Sequence, residues 1–254
     1  MRCLILASAS PARRATLAAA GLDPIVQVSE VDEAAALTAA LTARPDLPPA
    51  GQVLALARAK ARSVATARAA TARAAAHAAP HPVPHAAGEV VIGCDSMAEI
   101  DGRVLGKPGN AREAARRIAE QSGRTVLLHT GHWLIGPDLA ETGATSTTEV
   151  HFAELTPAEI AAYVATGEPL QVAGGFTIDG LGGPFIRGVT GDPHGVVGLS
   201  LPLLRDLLAR LGLTVMDFWP AAPAQPTAPA RPTAPAQPTA PTQPTAPEEG
   251  GDSR

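Results

Sequence analysis

Two groups of residues in this sequence have the types and spacing to act on phosphates. The first is Ser8-Ala9-Ser10-Pro11-Ala12-Arg13-Arg14, which follows the apolar run Cys3–Ala7. That run is the right length for a buried strand. Ser10 is a good N-cap and Pro11 suits the first helical position, so a helix is expected to run on through Ala18. Arg13 and Arg14 then fall in the first turn, where the macrodipole disfavours a cation by roughly 0.3–1 kcal/mol. A bound anion would reverse that balance. The Ser8 and Ser10 hydroxyls, free backbone N–H groups and the Arg13 guanidinium could together cradle a phosphate. The alternative is an ordinary strand–turn–helix with two solvated arginines.

The second group centres on Asp95. Glu89–Cys94 reads as the clearest buried strand, and it is expected to end in Asp95-Ser96. A carboxylate at the end of a buried parallel strand lies where α/β sheets bind their ligands. If this strand neighbours the first, one crevice holds a carboxylate beside a phosphate cradle. That pairing suits metal-assisted phosphoanhydride chemistry, because Mg²⁺ takes oxygen ligands and bridges to substrate phosphates. Arg13, Lys60 and Lys107 would offset the charge of a triphosphate. Asp95 could hold the metal or take a proton from an attacking water. Glu30, Asp32 and Glu33, just past a second expected strand at 24–28, read either as metal ligands or as solvated loop. The glycine-dense stretch 167–199 lacks a G-x-x-x-x-G-K-[ST] pattern, so it is not a P-loop.

The elements that must position these residues follow from the chain order. A long Ala/Arg helix is expected over 52–76, while 35–50 gives no pattern. Arg58, Lys60 and Arg62 are spaced by two, so they spread over different sides and at most one or two face a common site. Ser96–Leu105 reads as a hairpin turning at Asp101-Gly102. A helix capped by Asn110, a strand at 124–135, a half-exposed strand at 145–152 and a capping box at Thr156–Glu159 come next. Short strands are expected at Phe176–Ile178 and Phe185–Ile186, then a helix at 201–211 and an edge strand at 215–219.

Composition narrows the classes. The chain has 254 residues, a formal net charge of −4 and a pI near 6.0, which argues against a general nucleic-acid binder. Aromatic residues make up 3%, so stacking platforms for bases are scarce. Cys3 and Cys94 both fall in expected strands and read as buried thiols, which suits a reducing cytoplasm. No stretch approaches the ~20 apolar residues of a membrane span. Residues 1–219 are expected to form the folded domain, with a flexible Ala/Pro/His insert at about 76–88 carrying His77, His81 and His85. Residues 220–254 repeat a Pro/Thr/Ala unit that has nothing to bury and are expected to be disordered.

Taken in order, the motifs resemble the Maf (septum formation) family of nucleoside triphosphate pyrophosphatases. The matching pieces are Leu-Ala-Ser-Ala-Ser-Pro-Ala-Arg-Arg (6–14), Val-Ser-Glu-Val-Asp-Glu (28–33), Ala-Arg-Ala-Lys-Ala (57–61) and Gly-Cys-Asp-Ser (93–96). Gly-Lys-Pro (106–108), His-Thr-Gly (129–131), the run from Gly167 to Gly183 and the run from Gly191 to Pro202 complete the set. The resemblance implies an α/β fold of the Maf/ITPase-like kind, a two-lobed mixed sheet with flanking helices around a central cleft. It implies hydrolysis of nucleoside triphosphates, including modified or non-canonical ones, to monophosphate and pyrophosphate with a divalent cation, Mg²⁺ or Mn²⁺. A link to arrested cell division follows from the same likeness. The rival reading is a nucleotide-responsive division regulator without turnover. Residue by residue, Asp95 matches the family's proton acceptor, with Lys60 and Lys107 as catalytic cleft cations. Ser8, Ser10 and Arg13 match its phosphate motif, and Glu33 with Asp95 its metal ligands. Ala12, Ser96 and Asp179 stand at the base-discriminating positions, where the pyrimidine-specific branch has arginine, threonine and glutamine. The expected partner is a nucleoside triphosphate. A homodimer is left open, and neither nucleic acid nor membrane is expected.

Overall fold

The computed structural model describes residues 2–78 and 88–220. Of the insert expected at about 76–88, residues 76–78 belong to the last turn of a helix and 79–87 lie outside the described residues, as does the repeat tail at 221–254. The elements are β1 (Cys3–Leu6), α1 (Pro11–Ala19), β2 (Ile25–Val26), α2 (Glu33–Ala43), α3 (Pro49–Ala78), β3 (Glu89–Ile100) and β4 (Arg103–Leu105). There follow α4 (Ala111–Gln121), β5 (Thr125–Ile135), β6 (Glu141–Phe152), α5 (Pro157–Ala165), β7 (Ile186–Thr190), α6 (Pro193–Val197) and α7 (Leu201–Arg210).

One mixed sheet runs in the order β2-β1-β3-β5-β6-β7, with β4 also paired to β3. β2, β1 and β3 are parallel, and every pairing beyond β3 is antiparallel. Successive side chains of a strand point to opposite faces, and the core follows that period of two. Leu4, Leu6, Val90, Ile92 and Cys94 face α7, where Leu204, Leu207 and Leu208 are buried. Ile5 and Val91 face the other way, onto Ala61 and Val64 of α3. Each fully buried Leu or Ile contributes roughly 1.5–3 kcal/mol.

Local chemistry sets many of the boundaries. Ser10 caps α1 through the Arg13 N–H at 3.4 Å, and Pro11 is its first residue. Asn110 caps α4, Thr156 and Glu159 form the capping box of α5, and Ser200 caps α7. Asp101 (φ 50°) and Gly102 (φ 77°) form the tight turn between β3 and β4, as the Asp-Gly pair predicts.

Several expectations are corrected. β3 does not end at Asp95 but runs on to Ile100, because Ala98 and Ile100 bury a second apolar patch with Val126 and Leu128. The strand expected at 24–28 is only Ile25–Val26, both exposed at the sheet edge. The patternless stretch 35–50 holds α2, whose N-cap is Asp32. Phe176–Ile178 is irregular rather than a strand, although Phe176 is buried edge-on against Phe152. Val215–Phe218 is a 3₁₀ turn, closed by a capping box between Thr214 and Asp217.

Candidate active site

The sheet has a notch. β1 pairs with β3 only from Glu89 to Ile92, and β4 takes up the same edge again at Ala98. Between Gly93 and Met97 no strand covers that edge of β3 among the described residues. Asp95 and Ser96 lie in this gap. The Ser8–Ser10 turn leaves β1 on one side of it, and Lys107 follows β4 on the other. The expected location of Asp95 at the end of a strand therefore becomes a location beside the end of β1.

As consecutive residues of a strand, Asp95 and Ser96 point to opposite faces. Asp95 points toward α3, where Lys60 Nζ sits 2.5 Å from its Oδ1. Lys60 also reaches Glu33 Oε1 at 2.7 Å, at the first residue of α2. Lys60 and Asp95 are both buried, with 8% of each exposed. Two glycines allow this depth. A Cβ on Gly93 would lie 2.2 Å from the Ala57 carbonyl oxygen, and one on Gly131 would lie 2.5 Å from the backbone of Val53. The helix thus rests directly on the sheet backbone, and Lys60 is carried down to Asp95. Arg58 and Arg62 turn away from the notch, toward Glu141 at the other end of β6. Only Lys60 of the three evenly spaced cations serves the site.

Ser96 points toward α6 and α7, and there it meets Arg13. Three N–H groups of the guanidinium are engaged: Nε donates to the Gly198 carbonyl at 2.8 Å, Nη1 to Ser8 Oγ at 2.9 Å and Nη2 to Ser96 Oγ at 3.0 Å. Gly198 has φ +117°, and a Cβ there would stand 3.3 Å from Arg13 Nε, so this close approach needs glycine. The serine–arginine turn and the acidic strand position thus share one neighbourhood. Ser10 is used differently from Ser8, since its hydroxyl caps α1. Arg14 is exposed.

The charges around the notch act on one another. Partial burial pushes the Glu33 carboxyl up, but the Lys60 hydrogen bond and the charges of Lys60, Lys107 and Arg13 outweigh it and hold the group below its usual range. Lys107 itself is exposed and has no ion pair among the described residues. Burial pushes the Cys94 thiol up to about 12, so this cysteine is an inert part of the core. Glu33 and Asp95 each direct a carboxylate oxygen at the Lys60 ammonium. Such oxygen donors fit Mg²⁺ or Mn²⁺. Among the described residues no group of three or more His, Cys, Asp or Glu side chains is placed to hold a metal ion.

Of the other expected residues, Ala12 is half-buried beside Arg13, and Asp179 is exposed in the bend before Gly180. Sequence reasoning missed three contributors. Thr130 is fully buried, bonds Ser96 at 2.9 Å and donates to the Gly195 carbonyl at 2.8 Å. His132 accepts the Ser200 N–H at 2.8 Å on Nε2, while Nδ1 donates to the Thr130 carbonyl. Glu168 accepts from Tyr163, Thr177, Leu181 and Gly182 and so organises the loop that carries Asp179. The His-Thr-Gly motif at 129–131 was the available signal for Thr130. His129 itself has both ring nitrogens occupied, by Thr147 and Glu99.

Known proteins resemble this sequence over most of its length. Residues 3–211 match the family model described as Maf-like protein. A nucleoside triphosphate pyrophosphatase of Nocardia farcinica is 49% identical over 220 residues, covering 85% of this chain and 96% of that protein. Proteins of the same name from Leifsonia xyli (48% over 220 residues, 85% and 96%) and Salinispora tropica (45% over 217 residues, 85% and 87%) are similar. With the match spanning the strands, helices and notch just described, the chain belongs to the Maf family.

Proposed function

We propose that this protein hydrolyses nucleoside triphosphates to the monophosphate and pyrophosphate. The observation that carries the reading is the Glu33–Lys60–Asp95 cluster on one side of a sheet notch whose other side holds Arg13. The names of the relatives support the reaction type.

In this reading the triphosphate lies across the notch. Ser8, the Ala12 N–H at the start of α1 and Arg13 hold phosphate oxygens, and Ser10 keeps that helix start in place. Lys107 reaches over from the β4 side. Asp95 takes a proton from a water that attacks the α-phosphorus. The bond from that phosphorus to the bridging oxygen breaks, the water oxygen stays with the monophosphate, and pyrophosphate leaves with the bond's electrons. Lys60 fixes the Asp95 carboxylate and offsets negative charge as it builds. Glu33 and Asp95 would hold a divalent cation, which supplies charge neutralisation to the phosphates when bound. Ala12 and Asp179 are the residues we assign to the base. The cytoplasm is the assigned compartment, supported by two free cysteines.

The test is a nucleotide panel with Mg²⁺ or Mn²⁺, including modified pyrimidines and methylated guanine, with pyrophosphate and orthophosphate read separately. Pyrophosphate in step with monophosphate is expected. Orthophosphate alone would make the protein a phosphatase. Binding without either product would support the regulator, which the intact Asp95–Lys60 pair argues against.

A further inference from the structure

The hydrogen bonds around Ser96 have a single allowed direction. A hydroxyl has one proton to give. Thr130 gives its proton to the Gly195 carbonyl. The 2.9 Å bond between the two hydroxyls must then run from Ser96 to Thr130. Ser96, its own proton committed, is left as an acceptor, and the group facing it is Arg13 Nη2 at 3.0 Å. One chain thus runs from the guanidinium through Ser96 and Thr130 to a backbone carbonyl. Such chains polarise and strengthen each member. Of the five guanidinium N–H groups, three are engaged. Among the described residues the other two, one on each Nη, remain for an anion.

We infer that Ser96 is a positioning residue for the phosphate-binding arginine, and that it does not read the nucleobase. Its hydroxyl sets the plane of Arg13, with Thr130 and the Gly195 carbonyl locking that hydroxyl in its accepting role. Any base preference then belongs to other residues. The inference rests on the proposed phosphate role of Arg13, but it concerns binding rather than turnover, so the two can fail separately.

The experiment uses inorganic tripolyphosphate, which carries no base. Its affinity and those of several nucleoside triphosphates are measured by calorimetry for the full chain and for Ser96→Val and Ser96→Thr. Valine and threonine have the same shape, so they differ only in the hydroxyl. Ser96→Val is expected to weaken tripolyphosphate and every nucleotide by the same factor, about 10-fold for loss of a hydrogen bond to a charged group. Ser96→Thr is expected to restore affinity to within about 2-fold of wild type, and in an Arg13→Ala background Ser96→Val is expected to have no further effect. Thr130→Val breaks the same chain at its next link and is expected to give a smaller but equally base-independent loss. A base-dependent loss with tripolyphosphate unaffected would overturn the inference, as would no loss at all or no binding of tripolyphosphate by the wild type. A wild type that binds tripolyphosphate but releases no pyrophosphate would refute the hydrolase reading and leave the binding comparison decisive.

Discussion

Lys60 places its ammonium 2.5 Å from Asp95 and 2.7 Å from Glu33, so one cation joins the middle of β3 to the start of α2. The two partners differ in burial. Asp95 is nearly enclosed, whereas the Glu33 side chain is 59% exposed. The bond to Glu33 can exchange with water at small cost, whereas the bond to Asp95 is shielded from solvent.

Two substitutions separate those roles. Asp95→Asn keeps the shape and leaves Lys60 paired with Glu33, so thermal unfolding is expected near that of wild type. Turnover is expected to fall at least ~100-fold, in line with loss of a general base. Lys60→Met leaves Asp95 without its buried partner and is expected to cost about 3 kcal/mol of stability in addition to activity. Near-normal turnover in Asp95→Asn would remove that carboxylate from the mechanism.

The helix carrying Lys60 is held at its depth by Gly93 and Gly131. Gly93→Ala puts a methyl carbon 2.2 Å from the Ala57 carbonyl, and backbone must move to admit it. A stability loss of about 1–3 kcal/mol is expected from this overpacking. Because α3 and its lysine shift together, kcat is expected to fall with stability, and KM for tripolyphosphate-bearing ligands to change less. A variant with wild-type kcat and unfolding temperature would show that the helix rides higher than described.

These two sites show what the sequence could and could not reveal. The Ser10 cap, the Pro11 start and the Asp101-Gly102 turn depend on neighbours within four residues, and local rules find them. Asp95 looked like a strand end because aspartate is a poor strand former. Its actual position inside β3 is set by Ala98 and Ile100, whose burial needs partners from β5. Alanine-rich α2 has no apolar stripe, so only its cap at Asp32 marks it. Thr130 and Gly195 are 65 residues apart in sequence, and Arg13 and Gly198 are 185 apart. Nothing local signals such bonds, which appear only once α6 is packed against β5 and α1.

His132 carries a pH dependence. Burial, aided by the Arg13 charge, lowers its pKa from 6.5 to about 4. The folded protein holds the ring neutral, with Nε2 accepting the Ser200 N–H. The unfolded chain binds a proton below pH 6.5, and the folded protein does so only below about pH 4. Stability from this group is therefore complete above 6.5 and falls as the pH drops toward 4, by about 3 kcal/mol in all. Carboxylates such as Glu33 contribute losses of the same sign. Comparison with His132→Gln in urea unfolding at pH 7.5 and 4.5 isolates the histidine. The variant is expected to start less stable at pH 7.5 and to lose about 2–3 kcal/mol less on acidification. Equal losses in both proteins would mean that His132 does not titrate in that window.

Glu168 provides a test on the loop that carries Asp179. Its carboxylate accepts from the Tyr163 and Thr177 hydroxyls at 3.0 and 2.5 Å and from the Leu181 and Gly182 N–H groups at 3.0 and 3.1 Å. Burial raises its pKa, but these donors outweigh burial and keep the group below its usual range. Glu168→Gln replaces one acceptor oxygen with a donor, so the amides of Leu181 and Gly182 cannot both keep their partner. Each bond to a charged group contributes about 1.5–3 kcal/mol, so exchange at whichever of the two amides loses its acceptor is expected to speed by about 10-fold or more while amides in β3 and β5 stay unchanged. If Asp179 on this loop touches the base, the same variant changes relative kcat/KM among nucleotides and leaves tripolyphosphate affinity intact. Faster exchange with unchanged base preference would take Asp179 out of recognition and leave Glu168 as a support for the loop alone.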